Sequence, residues 1–407
     1  MSESVAAVPA LTAPVSGLSV VMFCSVIDNF GDIGICWRLS RQLVAEHGCQ
    51  VRLFVDDLAS FVRICPEVAP TAIRQHISGV DILHWQTAVP AQTLLEADEL
   101  RSVQLCIEAL ACTVPADFLN ALAEANPQAL WLNLEYLTAE DWASGCHGLP
   151  SPQAGIRLKK YFFFPGFTAD VGGLLRESQV VASARHLQQH AAARAAAWRQ
   201  LGLTLPAPDC RVISVFAYSQ AGIRSWLELL SADSRPNWVL VAEGALAQYL
   251  RAGYPDLQQQ GLLQWGSLTL QILPFVPQPD YDVLLALCDL NFVRGEDSVI
   301  RANWAGRPFI WQIYRQAEQA HLEKLDAFLT LMLADEPPAL AAWWRKVHLA
   351  WEQEQNFAAF WPQLVDNFDE IQGLMLRWQH KLLAQQDLAS NLVRFAQNRL
   401  IMSRNFS

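Results

Sequence analysis

The sequence predicts an α/β protein made of two doubly wound halves in tandem, facing each other across a central cleft. Three observations lead there. Short β-branched, apolar runs alternate with segments of helical period, first over about 18–183 and again over about 200–384, which is the pattern of parallel sheets with crossover helices. Between the two series, over 178–200, the composition shifts to Ala, Gln, Arg and His, giving a polar helix suited to bridging two domains. With 407 residues, 52% of them hydrophobic and only 17% charged, the chain is long enough for two cores and too apolar for a disordered polymer.

Residues 1–17, with Pro9 and Pro14 and little hydrophobic rhythm, read as a flexible tail. Ser19 to Ile27 is the first strand. It runs into Asp28-Asn29-Phe30-Gly31-Asp32-Ile33-Gly34, after which Cys36, Trp37, Leu39 and Leu43 recur at helical spacing: strand, glycine loop, helix. Further strands are expected at 51–55, closed by Asp56-Asp57, and at 80–84, 103–107 and 129–134. In the second half they are expected at 211–217, 237–242, 270–275, 289–293 and 307–312, with helices over 223–230 and 282–287. Beyond about 318 the pattern is helical to the end. Trp343, Trp344, Trp351, Trp361 and Trp378 are assigned to the core, and the helix from Pro338 to Trp351 is expected to pack across the protein rather than on a membrane, although it carries Arg345, Lys346 and His348. A final helix over about 385–407 is a candidate for packing back on the first half.

Charge and composition exclude several classes of function. Lys+Arg 29 against Asp+Glu 40 leaves a net charge of -11, which repels a phosphate polyanion, so no nucleic-acid partner is expected. No apolar stretch approaches the roughly 18 residues of a membrane span, and Met1-Ser2-Glu3 lacks the basic start of a signal peptide, so the expected location is cytoplasmic with no membrane partner. Nine cysteines contain no Cys-x-x-Cys pair and several lie in apolar runs, as does Cys24, which makes them reduced core thiols. Among the histidines, His186 and His190 are four apart on a predicted helix but lack further ligands, so no metal site is read from them.

Two strand ends carry the polar chemistry. The loop Asp28 to Gly34 places two carboxylates four positions apart where open α/β sheets bind ligands. It is not the Gly-x-Gly-x-x-Gly dinucleotide fingerprint, and its acids would repel a pyrophosphate; a cationic or protic ligand fits better. The plainer alternative is that Asp32 caps the following helix and Asp28 fixes a turn. The second constellation is Arg294-Gly295-Glu296-Asp297-Ser298, after the strand at 289–293 and before a helix. Backbone N–H groups at that helix start, with the Ser298 hydroxyl and the Arg294 guanidinium, suit a diphosphate, and Glu296 suits sugar or ribose hydroxyls. Here too an ordinary helix cap by Asp297 or Ser298 is the alternative. Phe275, in the Pro-bounded loop Leu273-Pro274-Phe275-Val276-Pro277-Gln278, is placed to stack on a planar base, whereas Tyr161 to Phe167 reads mostly as core. No Asp-x-Asp motif stands at a strand end to hold a divalent ion.

Taken together, these segments resemble the elongation factor P (EF-P) arginine rhamnosyltransferases, the EarP family. The resemblance is carried in order by Val26 to Gly34, Trp131-Leu132-Asn133-Leu134-Glu135-Tyr136-Leu137, Pro150-Ser151-Pro152-Gln153, Pro274 to Gln278 and Arg294 to Ser298, and covers about 25–330. It implies a GT-B glycosyltransferase fold of two Rossmann-like domains: an acceptor-binding half at 18–183 and a nucleotide-sugar-binding half at 200–384. The implied activity is an inverting, metal-independent transfer of rhamnose from dTDP-β-L-rhamnose to an arginine of EF-P, which activates that factor for rescue of polyproline-stalled ribosomes. No cofactor is implied beyond the donor substrate. Asp32 occupies the position of the family's general base, Asp28 that of a second essential acid, and Glu296 that of a residue needed for activity. Phe275, Arg294, Asp297, Ser298, Tyr314 and Tyr218 match its donor-side positions. The alternative is a GT-B enzyme acting on a lipid or polysaccharide acceptor.

Overall fold

The computed structural model describes residues 17–27, 30–85, 90–218, 221–315 and 320–405. The first half holds β1 (Ser19–Cys24), β2 (Gln50–Val55), β3 (Arg74–Ile77), β4 (Val80–His84), β5 (Leu105–Ala109), β6 (Leu130–Leu134) and β7 (Lys159–Phe163). They form one sheet in the order β3-β4-β2-β1-β5-β6-β7, parallel throughout except for the β3–β4 hairpin at one edge. The second half repeats the plan with β8 (Arg211–Val215), β9 (Asn237–Ala242), β10 (Leu262–Trp265), β11 (Leu268–Leu273), β12 (Leu290–Arg294) and β13 (Phe309–Gln312). Its order is β10-β11-β9-β8-β12-β13, again parallel apart from one edge hairpin. Both sheets therefore reverse their winding beside their first strand, and the crevices lie beyond the carboxyl ends of β1 and β5 in one half and of β8 and β12 in the other. Two Rossmann-like layers that face each other across a cleft make the GT-B arrangement. Both central strands are buried on both faces, which is why β1 reads as the unbroken apolar run Ser-Val-Val-Met-Phe-Cys.

Three strands escape the sequence pattern. The edge hairpins turn on two residues each, Ser78-Gly79 with positive φ at both positions and Gly266-Ser267 with positive φ at the glycine. Those are hairpin-turn dipeptides, and only their short, polar edge partners hide them. The third, β7, runs into the aromatic segment that sequence reading assigned mostly to core packing; Tyr161 and Phe163 are indeed buried, on one face of a strand. The first strand is also shorter than expected: Ser25 to Ile27 leave the sheet because the Val26 and Ile27 N–H groups donate to Asp56 (2.9 Å) and Asp32 (3.0 Å). The expected bridging helix over 178–200 is two helices, Val180–Gln189 and Ala191–Gln200, broken at an extended His190; no Gly or Pro marks the break. The first of them lies on the second half, where Gln188 donates to the carbonyls of Ala286 and Ala305.

The chain from Ala320 onward is helical, with helices Ala320–Leu333, Pro338–Glu352, Phe357–Asp366, Phe368–Leu383 and Leu388–Asn405. Trp344, Trp351, Trp361 and Trp378 are buried and Trp343 half-buried. Trp351 lies 4.1 Å, centroid to centroid, from Phe292 of β12, so this helical layer is fused to the second sheet. The last helix returns to the first half. Phe395 contacts both Tyr161 and Phe163 at 5.7 Å, Asn391 donates to Gly172 O, and a Cβ on Gly173 would sit 2.5 Å from Gln386 O. Among the described residues no helix is long and apolar enough to cross a membrane. All nine cysteines are unpaired, seven of them buried.

Leu392, fully buried in that last helix, is expected to be a main anchor of the return. Leu392→Ala should lower stability by about 3 kcal/mol, read as a shift in denaturation midpoint, with faster amide exchange in β6 and β7.

Candidate active site

The crevices at the two switch points open onto one pocket. Phe30, Gly31 and Ile64 line it from the first half; Phe216, Tyr218, Glu243, Phe275, Gln278, Tyr281 and the run Arg294 to Ser298 line it from the second. Gly295 holds φ +65 between β12 and the Gly295–Ala305 helix, and a Cβ there would lie 3.3 Å from the Tyr218 hydroxyl. The left-handed backbone and the close approach together call for glycine.

Arg294 is set in an aromatic sandwich, its guanidinium 4.2 Å from the Phe216 ring centroid and 4.4 Å from that of Tyr218, with Nη1 donating to Ala217 O at 3.2 Å. Tyr218 meets Tyr314 edge to face at 5.7 Å. Tyr314, 54% exposed, thus stands beside the pocket rather than among its lining residues. Ser298 is buried and its hydroxyl donates to the Arg294 carbonyl, which fastens the helix start without capping it. Phe275 is half-buried and touches Phe30 edge to face at 5.1 Å, while the Arg63 guanidinium lies 5.9 Å from its centroid. The two halves therefore meet on the ring expected to stack a base.

Carboxylates from the second half also bind the first. Glu296 Oε2 accepts from the Leu137 N–H at 2.8 Å and Oε1 from Lys324 Nζ at 2.7 Å. Asp297 Oδ1 accepts from Arg38 Nη1 at 2.6 Å and Oδ2 from Arg301 Nε at 2.8 Å. Arg38, on the Gly31–His47 helix and wholly buried, also grips Glu177 through Nε (2.8 Å) and Nη2 (2.7 Å). Burial alone would lower the Arg38 pKa, but Glu177 and Asp297 on either side raise it. Burial pushes Glu177 up, and the Arg38 charge overrides this and pulls it down to about 2. Asp297 is likewise lowered, with burial outweighed by Arg301 and Arg38.

Asp32 sits in the first turn of the Gly31–His47 helix, 3% exposed, and it does not cap: Phe30 is the N-cap residue, without a side-chain bond, and Asp32 Oδ2 is held by the Ile27 N–H. It is not among the pocket's lining residues, although its neighbours Phe30 and Gly31 are. Asp28 lies outside the described residues. The pocket thus gathers Phe275, Tyr218, Arg294, Glu296, Asp297 and Ser298 directly, with Tyr314 at its rim and Asp32 one layer behind. Sequence reading missed Arg38, Lys324, Phe30, Glu243, Gln278 and Tyr281 as site residues. Glu243 follows the end of β9, so the strand-end rule could have found it; nothing local marks Arg38 or Lys324. Gly34, noted only for its loop, has a different use: a Cβ there would lie 2.8 Å from Gln278 Nε2 and 3.5 Å from Asp297 Oδ2, so its bareness lets the halves close. Among the described residues no three His, Cys, Asp or Glu side chains converge as metal ligands.

Comparison with known proteins agrees with this layout. Residues 20–397 match the family described as Elongation-Factor P (EF-P) rhamnosyltransferase EarP. A protein-arginine rhamnosyltransferase of Pseudomonas putida is 46% identical over 387 residues, covering 93% of this chain and 98% of that protein. One from Pseudomonas aeruginosa is 44% identical, covering 92% and 97%. A solved structure presented as the structural basis for EarP-mediated arginine glycosylation of translation elongation factor EF-P superposes with a TM-score of 0.63 at 33% identity, covering 93% of this chain and 99% of that one.

The Arg38 network makes closure acid-sensitive. Asp297, which bridges to Arg38 from the other half, is held below its ordinary value, and Glu177, which shares that guanidinium, is held at about 2 against an ordinary 4.5. Their contribution is therefore complete above the ordinary carboxylate range and disappears as the pH falls below it towards 2. Small-angle scattering should show the radius of gyration increasing across that window, and Arg38→Met should show the enlarged state already at neutral pH.

Proposed function

The chain belongs to the EF-P rhamnosyltransferase EarP family, and from that premise we propose that it transfers rhamnose from dTDP-β-L-rhamnose to an arginine side chain of elongation factor P. The reaction is one inverting displacement without a metal ion, and it takes place in the cytoplasm, where a translation factor is found. The carrying observation is the opposition of two walls in one cleft. On one side stand Arg294, its aromatic sandwich and a helix start; on the other is the loop that leads through Phe30 to Asp32.

The first wall suits the donor. Thymine stacks on Phe275, and the diphosphate takes the unpaired N–H groups of the Gly295–Ala305 helix, the Arg294 guanidinium and the hydroxyls of Tyr218 and Tyr314, while Ser298 serves the donor side by fastening that helix start through its bond to the Arg294 carbonyl. These positive and protic groups stabilise dTDP as it leaves, which is the work a metal does in other transferases. Asp297 is assigned to the donor side and Glu296 to the positive charge that develops on the sugar ring.

The second wall suits the acceptor. A guanidinium is protonated at neutral pH and its lone pairs are delocalised, so it attacks poorly unless a carboxylate orients it. Asp32 aligns one nitrogen on the anomeric carbon, with Asp28 on the guanidinium's other side. The nitrogen bonds to that carbon while the carbon–oxygen bond to the diphosphate breaks. The proton passes to Asp32 and the electron pair leaves with dTDP. An incoming arginine must reach a buried carboxylate, and its charge supplies the reason for Asp32 to exchange the Ile27 N–H for a stronger partner.

Incubation with dTDP-rhamnose should add one deoxyhexose to EF-P in intact-mass measurement, with dTDP-glucose and UDP-sugars inactive; no added mass would overturn the proposal. Asp32→Asn should abolish transfer, by about 10²-fold or more, while dTDP affinity stays near the wild-type value. Transfer at the wild-type rate by that variant would remove Asp32 from the base role.

A further inference from the structure

Behind Tyr218 in the pocket and Tyr314 at its rim runs a further layer of polar contacts, and it converges on one turn. The helix Pro338–Glu352 ends at Glu352, and Glu354 takes a left-handed φ of 56°. Glu352 is buried, its Oε2 accepting from the Ile313 N–H at 3.0 Å and its Oε1 lying 3.8 Å from His321 Nε2. Glu354 Oε2 accepts from the Ala221 N–H at 2.8 Å, and its Oε1 from Arg315 Nη2 at 2.5 Å; that same nitrogen lies 3.5 Å from the Glu352 carbonyl. Ile313 and Arg315 flank Tyr314, and Ala221 follows three positions after Tyr218. The loops are also tied directly, by the Tyr218 N–H donating to Gln312 Oε1 at 2.9 Å.

This turn carries two costs that stability alone does not demand. A buried carboxylate is expensive, and apolar replacements of similar volume are often at least as stable. A left-handed non-glycine residue adds backbone strain. Both costs fall on residues whose side chains bond to the segments bearing Tyr218 and Tyr314. We propose that the Glu352 to Glu354 turn is a clasp whose positioning residues, Glu352, Glu354 and Arg315, hold Tyr218 and Tyr314 in register for the sugar nucleotide's diphosphate. This rests on the donor reading above.

The burial of Glu352 supports the same assignment. Burial pushes its carboxyl up to about 7, the Ile313 N–H opposing, among the facing groups His321, Arg315 and Glu354. Ionised, it grips the Ile313 N–H more strongly than when protonated.

The test is donor kinetics at saturating EF-P together with calorimetric dTDP binding in its absence. Glu354→Ala should raise both donor KM and dTDP Kd by about tenfold, the scale of a lost hydrogen bond to a charged group. It should leave kcat within about twofold and KM for EF-P unchanged. Glu354→Gln should recover part of the loss, since its amide oxygen still accepts from Ala221. Arg315→Met, an exposed change that spares the core, should weaken dTDP less than Glu354→Ala, and the double variant no more than Glu354→Ala. The donor KM of the wild type should fall as the pH rises through about 7, and Glu352→Gln should flatten that profile. An unchanged dTDP Kd in Glu354→Ala, or equal losses for dTDP and EF-P, would overturn the clasp. Wild-type protein that bound no dTDP would overturn the donor reading and the clasp with it.

Discussion

One buried cation organises the cleft. Arg38 comes from the first half, has no solvent exposure, and forms ion pairs, among the described residues, with Glu177 in the crossing segment and Asp297 at the start of the Gly295–Ala305 helix. An unpaired guanidinium at that depth would cost several kcal/mol, so the halves lose that energy unless they stay together there. The neighbouring geometry depends on this closeness. Phe30 reaches Phe275, the Leu137 N–H reaches Glu296, and the bare backbone of Gly34 lies against Gln278 and Asp297. A hydrophobic seam could join two domains equally well, but it would not fix which carboxylate faces which cation.

The loop that carries the acids is organised with similar economy. Asp56 and Asp32 take the N–H groups of Val26 and Ile27, so the chain leaves β1 on two carboxylate tethers instead of in a sheet ladder. A carboxylate that holds one backbone N–H still has room for more donors, and a bidentate guanidinium offers it a stronger bond than one neutral donor. In the proposed reaction the Ile27 N–H is the partner that Asp32 would exchange for a cationic acceptor. Phe30 extends from this loop to Phe275 in the second half, so the acid loop and the ring proposed to stack the base are neighbours in space.

Much of this architecture was legible in the sequence. Central parallel strands are buried on both faces and announce themselves as apolar runs, and β1, β2, β8 and β9 do so plainly. Edge strands do not: β3 is Arg-Gln-His-Ile, exposed at alternate positions, and only the Ser78-Gly79 turn betrays it. At the site, the strand-end rule and the loop motifs led to Arg294, Glu296, Asp297, Ser298 and Phe275, all of which line the pocket. What they could not reveal was partnership. Arg38 sits between Trp37 and Leu39 like any helix residue, and its burial follows from a contact 259 positions away. Lys324 and the Glu352 to Glu354 turn are equally silent, since their meaning arises only when the C-terminal helices fold over the second sheet.

Asp297 illustrates how one residue meets two demands. Its carboxylate oxygens are taken by Arg38 and Arg301, with Gln278 Nε2 at 3.5 Å from one of them. A donor contact through those oxygens would compete with the bridge that holds the cleft closed, and an anionic diphosphate would be repelled by them. Its backbone offers the opposite polarity. Asp297 lies in the first turn of the Gly295–Ala305 helix, where the N–H groups have no partner within the helix and point towards an incoming anion. In the donor reading the division of labour follows from electrostatics: the main chain of Asp297 receives phosphate while its side chain, turned the other way, anchors the acceptor half. Replacing that side chain would then disturb the relation between the halves before it disturbed any contact with the nucleotide.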